Sequence, residues 1–321
     1  MHRGQNLRNR CTLLFIVALA IKRSRLHIVK TAMNTSQSTR TQPRWQLPML
    51  AGSLFIATAL LATWLQPQCR PWWNWLDVVV FRCLNDTLRL GEYWQKAWAF
   101  AGCRKFDLVA GATMFALIVI GHREQRRWSV AQSVISISLL SLVLLGTSFA
   151  SGFFVDHPPA QAAQLIGAEN AIIGTEYLQS QTQEPSVTTV AFHRQSPTLA
   201  LGECLLLSQL VPDVPAKDHS RWSFPGDHGF ILLSIALYIG YIGARDTSQW
   251  AWLAAVLLAL PRLIAGAHWP TDIMIGSACM ALIAMAILMA TPLHDWLVLR
   301  LSRFGTSSKT VRKKRRSSRL A

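Results

Sequence analysis

Six apolar runs limit what this chain can fold into. They lie at 48–66, 107–121, 129–154, 229–243, 250–267 and 273–292, and the longer ones approach the roughly 20 residues a helix needs to cross a bilayer. The two short runs, 107–121 and 229–243, are expected to extend at their ends. Only 15% of the 321 residues are charged, whereas a soluble domain carries about 25%. In lipid every backbone N–H and C=O must be satisfied within the segment itself. The fold class expected is therefore all-α: a polytopic membrane protein with a six-helix transmembrane bundle.

The net charge of +16 would suit nucleic acid, but the charge is distributed otherwise. Nine Lys/Arg precede the first run, three lie in 122–128, one in 244–249 and nine in 292–321. In a six-helix topology these segments share one side and hold 22 of the 32 basic residues. The positive-inside bias assigns that side, with both termini, to the cytoplasm. The tail "KTVRKKRRSSRLA" then meets anionic headgroups, and no nucleic-acid partner is expected. Three regions follow: a basic extension 1–46, a membrane domain 47–297 with outer loops 66–106 and 155–228, and a basic tail 298–321. The run "CTLLFIVALAI" is too short to span and resembles a signal h-region, but no small-residue cleavage site follows it. Met33 opens a more ordinary polar start, so translation from Met33 is expected as an alternative. The segment 66–106 mixes Trp with charge as interfacial helices do. Among the six cysteines none has metal-ligand spacing, and neither metal nor other cofactor is expected. An outer disulfide among Cys69, Cys83, Cys103 and Cys204 is allowed.

Three polar clusters fall at the outer ends of consecutive helices. "HRQSPT" carries His193, Arg194 and Pro197; "KDHSRWSFPGDHG" carries Lys217, Arg221, Gly226, Asp227 and His228; "PRLIAGAHWPTD" carries Arg262, His268 and Asp272. Cationic side chains beside histidines and acids describe a phosphate site that also does chemistry. Pro270 suits the first turn of a helix, which places Asp272 inside that turn and His268 just before it. An Asp so placed is expected to accept the Nδ1 proton of the imidazole, leaving the other nitrogen nucleophilic. Pro225-Gly226 allows a tight turn whose following N–H groups favour phosphate. Each part also has a plain reading: Arg262 snorkelling, Asp272 and Asp227 capping helices, the histidines solvated, Lys217 and Arg221 touching headgroups. Their shared position speaks against taking all of them separately.

These residues resemble the type-2 phosphatidic acid phosphatase superfamily. Arg262, His268 and Asp272 fit its third motif, and Pro225-Gly226-Asp227-His228 resembles its second, usually P-S-G-H. "RQSPTL", "KDHSRWSFPGDHG", "PRLIAGAHWPTDI" and "TPLHDWL" look closest to the lipid A 1-diphosphate synthase branch over about 193–297. The resemblance implies the superfamily bundle, with His268 as the nucleophile that becomes phosphohistidine and Asp272 as its orienting acid. His228 would protonate the leaving phosphate. Arg262 would neutralise phosphoryl oxygens, with the backbone at Gly226 helping. The first motif departs from the pattern: Arg194 with Pro197 is the nearest match and no lysine stands seven residues before it, so Lys217 or Arg221 would replace that cation. Asp227 stands where Gly is usual and sets a negative charge beside His228, favouring its protonated form.

The reaction implied moves the terminal phosphate of undecaprenyl pyrophosphate to the 1-phosphate of lipid A at the periplasmic face of a bacterial inner membrane. Both partners are membrane lipids. One anhydride is exchanged for another, so no ATP is needed. The sequence leaves open hydrolysis of a lipid pyrophosphate by the same residues, and a non-catalytic lipid-binding role. A charged transport relay is disfavoured, because 229–243 and 273–292 contain no Asp, Glu, Lys, Arg or His.

Overall fold

The computed structural model describes residues 45–125, 128–156, 194–201, 203–220 and 223–302. The extension before residue 45, most of loop 155–228 (with His193 and Arg221) and the tail beyond residue 302 lie outside the described residues.

All six apolar runs form helices. These are α1 (Leu47–Leu65), α4 (Arg104–Glu124), α5 (Val130–Asp156), α6 (Asp227–Tyr241), α7 (Arg245–Ile264) and α8 (Ala278–Met289). A π-helical turn, Asp272–Ser277, leads directly into α8. The short run 107–121 gains a polar turn at its start and spans 21 residues as α4. Five of the helices are long and apolar enough to cross a membrane, and α6, at 15 residues, is shorter. Between α1 and α4 the Trp-rich segment forms two further helices, α2 (Arg70–Asn85) and α3 (Glu92–Ala101). Among the described residues regular structure is helical, apart from the single antiparallel bridge Cys103–Ala216. The protein is thus an all-α, polytopic membrane protein, and Cys69, Cys103, Cys204 and Cys279 are free cysteines.

Local sequence sets the helix ends. Proline stands in the first turns of α1 and α2, where a missing N–H is harmless and the fixed φ is already helical. At the end of α7, Ala267 N–H donates to Arg262 O at 3.0 Å and Gly266 N–H to Leu263 O at 3.2 Å. Gly266 has φ +78°, which completes a Schellman motif with glycine at its left-handed position. This turn reverses the chain in the five residues between Arg262 and His268. A side chain at Gly266 would also strike Phe81 and Thr198.

Small residues let the central helices approach. Ala251, Ala255 and Ala259 of α7, and Ala281 and Ala284 of α8, pack with Phe230, Ile235, Ala236 and Ile239 of α6 in one buried cluster. Without a hydrophobic drive between helices in lipid, such close contact is what holds them together. Large apolar residues such as Phe55, Leu145, Phe149 and Val256 remain exposed, as a lipid-facing surface requires. Helices α2 and α3 expose Trp72, Trp75, Tyr93 and Trp94, while α2 buries Arg70, Asp77, Phe81 and Asn85.

A further close contact is at Gly229. A Cβ there would lie 2.6 Å from Ser277 Oγ and 2.9 Å from Ile273 Cγ2, and Ser277 Oγ is held by its hydrogen bond to Gly226 O. Gly229→Ala is therefore expected to destabilise the α6–α8 packing by about 1–3 kcal/mol. The check is the thermal unfolding midpoint in detergent, and an unchanged midpoint would show that the helices separate freely here.

Candidate active site

Helix ends bring the polar clusters together. The starts of α4, α6 and α8 and the end of α7 deliver Asp107, Asp227 with His228, Asp272 and Arg262 to one end of the bundle. His268 stands just before Pro270, which opens the helical turn.

His268 is buried, with 3% of its surface exposed. Its Nδ1 lies 2.7 Å from Ser223 O, so Nδ1 carries the proton and donates it to that carbonyl. This leaves Nε2 as the nitrogen with a free lone pair. Nε2 is buried without a hydrogen-bond partner among the described residues, and the nearest charged oxygen is Asp227 Oδ1 at 3.7 Å.

The expected Asp272–His268 hydrogen bond is replaced. Asp272 Oδ2 stands 3.8 Å from Nδ1, beyond hydrogen-bond reach. It instead accepts the Trp269 N–H at 2.7 Å, the back-reaching half of a capping box, and Oδ1 accepts from Arg194 Nη1 at 3.3 Å. A backbone carbonyl thus does the work foreseen for a carboxylate, while Asp272 fixes the helix start that follows the histidine.

Arg194, expected among the phosphate ligands, is committed elsewhere. Nη2 contacts Asp77 Oδ2 at 2.5 Å, Nη1 donates to Thr271 Oγ1 at 2.7 Å, and the guanidinium lies 4.7 Å from the Trp269 ring centre. Asp77 also accepts the Thr271 N–H at 2.8 Å and the Thr271 hydroxyl at 2.6 Å. Burial, the largest influence on the Asp77 carboxyl, outweighs the guanidinium and pushes it above the ordinary carboxylate range. Gly226 is committed too, since its N–H donates to Asp272 O at 3.1 Å and is not free for a phosphate.

Arg262 and His228 face each other. Arg262 is 3% exposed; its Nη1 donates to Gly102 O at 3.0 Å and its Nη2 to Asp107 Oδ1 at 2.7 Å. The same Nη2 is 3.3 Å from His228 Nε2. His228 lies between two carboxylates, with Asp227 Oδ1 at 2.8 Å from Nδ1 and Asp107 Oδ1 at 3.0 Å from Nε2. Lys217 is held to the same wall, its N–H donating to Gly102 O at 3.2 Å. Next to it, burial tends to raise the Asp218 carboxyl, but hydrogen bonds from Ser208 and His219 hold it below the ordinary range.

Asp77, Asp107, Thr271 and the Ser223 carbonyl were not found by sequence reasoning. The two aspartates gave one signal. Each is a single acid beside apolar sequence, "WLDVVV" and "RKFDLVAG", and such an acid needs a partner if it is buried.

Comparison with known proteins finds a family match for the segment that carries the site. Residues 173–295 match the PAP2 superfamily, the resemblance read from the motifs. The chain is also similar to Lipid A 1-diphosphate synthase of Escherichia coli (strain K12), 27% identical over 256 residues, which cover 78% of this chain and 91% of that protein. That likeness reaches well beyond the segment 193–297. No solved structure matches.

Removing one partner of a buried ion pair leaves a charge without compensation. Asp77→Ala is therefore expected to destabilise by about 3–5 kcal/mol, read as a lower unfolding midpoint in detergent. Asp86→Ala, which removes an exposed pair with Arg89, should leave the midpoint in place.

Proposed function

We propose that this protein is a phosphotransferase that moves the terminal phosphate of undecaprenyl pyrophosphate to the 1-phosphate of lipid A through a phosphohistidine. The observation that carries this reading is the buried His268 Nε2, which lacks a hydrogen-bond partner among the described residues and is linked through Asp227 to the Arg262–His228 pair. The likeness to a lipid A 1-diphosphate synthase supports the choice of acceptor.

Ser223 O holds the His268 tautomer that presents Nε2 as nucleophile. Nε2 attacks the terminal phosphorus, an N–P bond forms and the anhydride P–O bond breaks. His228 protonates the departing undecaprenyl phosphate. Arg262 stabilises the charge on the equatorial oxygens, with Lys217, and Arg221 as sequence alone assigns it, adding positive field. In the second half, an oxygen of the lipid A 1-phosphate attacks the same phosphorus and frees Nε2. Arg194 and Asp272 act as positioning residues, and Asp227 is a partner of His228. The reaction needs no ATP, which suits a site on the periplasmic face of the bacterial inner membrane.

Hydrolysis is the second reading, because water reaching the phosphohistidine would use the same residues. The test is purified protein with undecaprenyl pyrophosphate labelled in its terminal phosphate, with and without lipid A. Label is expected on lipid A, and an acid-labile label on the protein. His268→Ala should abolish both, and Arg262→Ala should slow transfer by roughly 100-fold or more. Label released only as free phosphate would establish the phosphatase. No turnover by the wild type would leave a lipid-binding role.

A further inference from the structure

Both described guanidiniums of the site are already used. Arg194 pairs with Asp77 and Asp272, and Arg262 pairs with Asp107. Three carboxylates, those of Asp77, Asp107 and Asp272, stand against these two guanidiniums within ion-pair distance, and Asp227 stands against His228. A phosphate arriving in this arrangement meets no unclaimed guanidinium among the described residues of the cluster, so one of the carboxylates must give way.

Asp107 differs from the others. Asp77 and Asp272 are buried, and each accepts a backbone N–H as well as Arg194. Among the described residues Asp107 pairs only with Arg262 and His228, and its side chain is 32% exposed. Its carboxylate bridges the two groups that a transferring phosphoryl oxygen would contact, at 2.7 and 2.9 Å from Arg262 Nη2 and 3.0 Å from His228 Nε2. Arg262 keeps a second anchor at Gly102 O, so it stays in place when Asp107 leaves. His268 Nε2, 3.7 Å from Asp227 Oδ1, has no hydrogen-bond partner among the described residues, as suits a nitrogen kept for an incoming group.

We propose that Asp107 is a specificity-determining residue: its carboxylate occupies the phosphoryl subsite until a phosphate dianion displaces it. The displacing anion must outbid a full negative charge for Arg262. A phosphodiester carries one charge and gains little by the exchange. A terminal phosphate, on a monoester or at the end of a pyrophosphate, carries nearly two near neutral pH and gains the difference in Coulomb energy. Diester headgroups, the bulk of a phospholipid surface, are thus refused while rare terminal phosphates are admitted. This rests on the phosphate-site reading above but assigns that site a charge threshold.

The opposite role, in which Asp107 merely orients Arg262, makes the opposite prediction for its removal. The experiment measures binding to full-length protein in neutral detergent by intrinsic tryptophan fluorescence. The probes are phosphatidic acid and phosphatidylglycerol with the same acyl chains, compared between wild type, Asp107→Asn and Asp107→Ser. Two variants with wild-type melting guard against a folding artefact. The expected result is that wild type favours phosphatidic acid, and that both variants tighten both lipids by about 10-fold, roughly one screened charge contact, so that phosphatidylglycerol binds at concentrations where wild type refuses it. Inorganic phosphate, run alongside, distinguishes a free dianion from a lipid-borne one, and tightening of either in the variants supports the proposal. Weaker or unchanged binding of both lipids in the variants overturns it while leaving the phosphate site standing. Failure of wild type to bind any phosphate probe overturns both.

Discussion

Everything near the histidines depends on one buried ion cluster, Asp77–Arg194–Asp272. Two carboxylates of 0% exposure share a guanidinium that is itself only 12% exposed. In such surroundings a charge without its partner is far more costly than at a surface, so the three residues stand or fall together. Their positions in the chain are far apart: Asp77 on α2, Arg194 before a short turn, Asp272 at the head of α8. The cluster is therefore a tertiary clamp between the amphipathic segment and the membrane helices. It also sets the chemistry, because Asp272 fixes the helix start whose preceding turn carries His268. The stacking of Arg194 over Trp269 and the bond from Trp269 Nε1 to Gln195 O close the clamp from the other side.

The clamp explains why some of the architecture was legible in sequence and some was not. Apolar length is a local property, so all six runs appeared as helices, and prolines and glycines marked their ends. The Arg262–His268 spacing was legible too, because a Schellman turn is written in a few consecutive residues. Pairing across 117 residues, as between Arg194 and Asp77, leaves no trace in local pattern. Asp77 was not singled out within its amphipathic segment, and Arg194 read as a phosphate ligand. Roles inferred from sequence neighbours failed for the same reason. Asp272 was assigned to the histidine four residues away, yet a helix N-terminus and a distant arginine claim it first. The histidine turned instead to a carbonyl, and any residue could supply that.

Charge balance links the clamp to the reaction centre. A phosphate site is expected to be cationic, yet acids outnumber guanidiniums here. In a membrane this is less odd than it looks, since an arginine left alone in apolar surroundings is itself unfavourable. The carboxylates supply the partners that these arginines need within the protein itself. Where the carboxylate is deeply buried and multiply bonded, as at Asp77, the pair is permanent and structural. Where it is partly exposed and held only by the groups a substrate would use, as at Asp107, the pair is provisional. Burial thus sorts chemically identical side chains into frame and working part.

The depth of the working part is set from the far end of the bundle. There Tyr238 of α6 is buried and meets His122 Nε2 at 2.8 Å and Ser136 Oγ, while Ser136 Oγ contacts His294 Nε2 at 2.8 Å. His294 Nδ1 in turn reaches Asp295 Oδ1 at 3.1 Å. These groups come from α4, α5, α6 and the segment after α8, and apolar neighbours offer them no substitute partners. A helix that slid by one turn would strand several buried polar atoms at once, each at a penalty of about 1–3 kcal/mol. The ten helical steps from His228 to Tyr238 span about 15 Å, and the residues between are apolar apart from Ser234 and glycine. Apolar packing alone would tolerate sliding along that length. Pinning Tyr238 therefore fixes the height of His228 against Arg262, so the polar chain at one end holds the geometry on which phosphoryl chemistry at the other end depends.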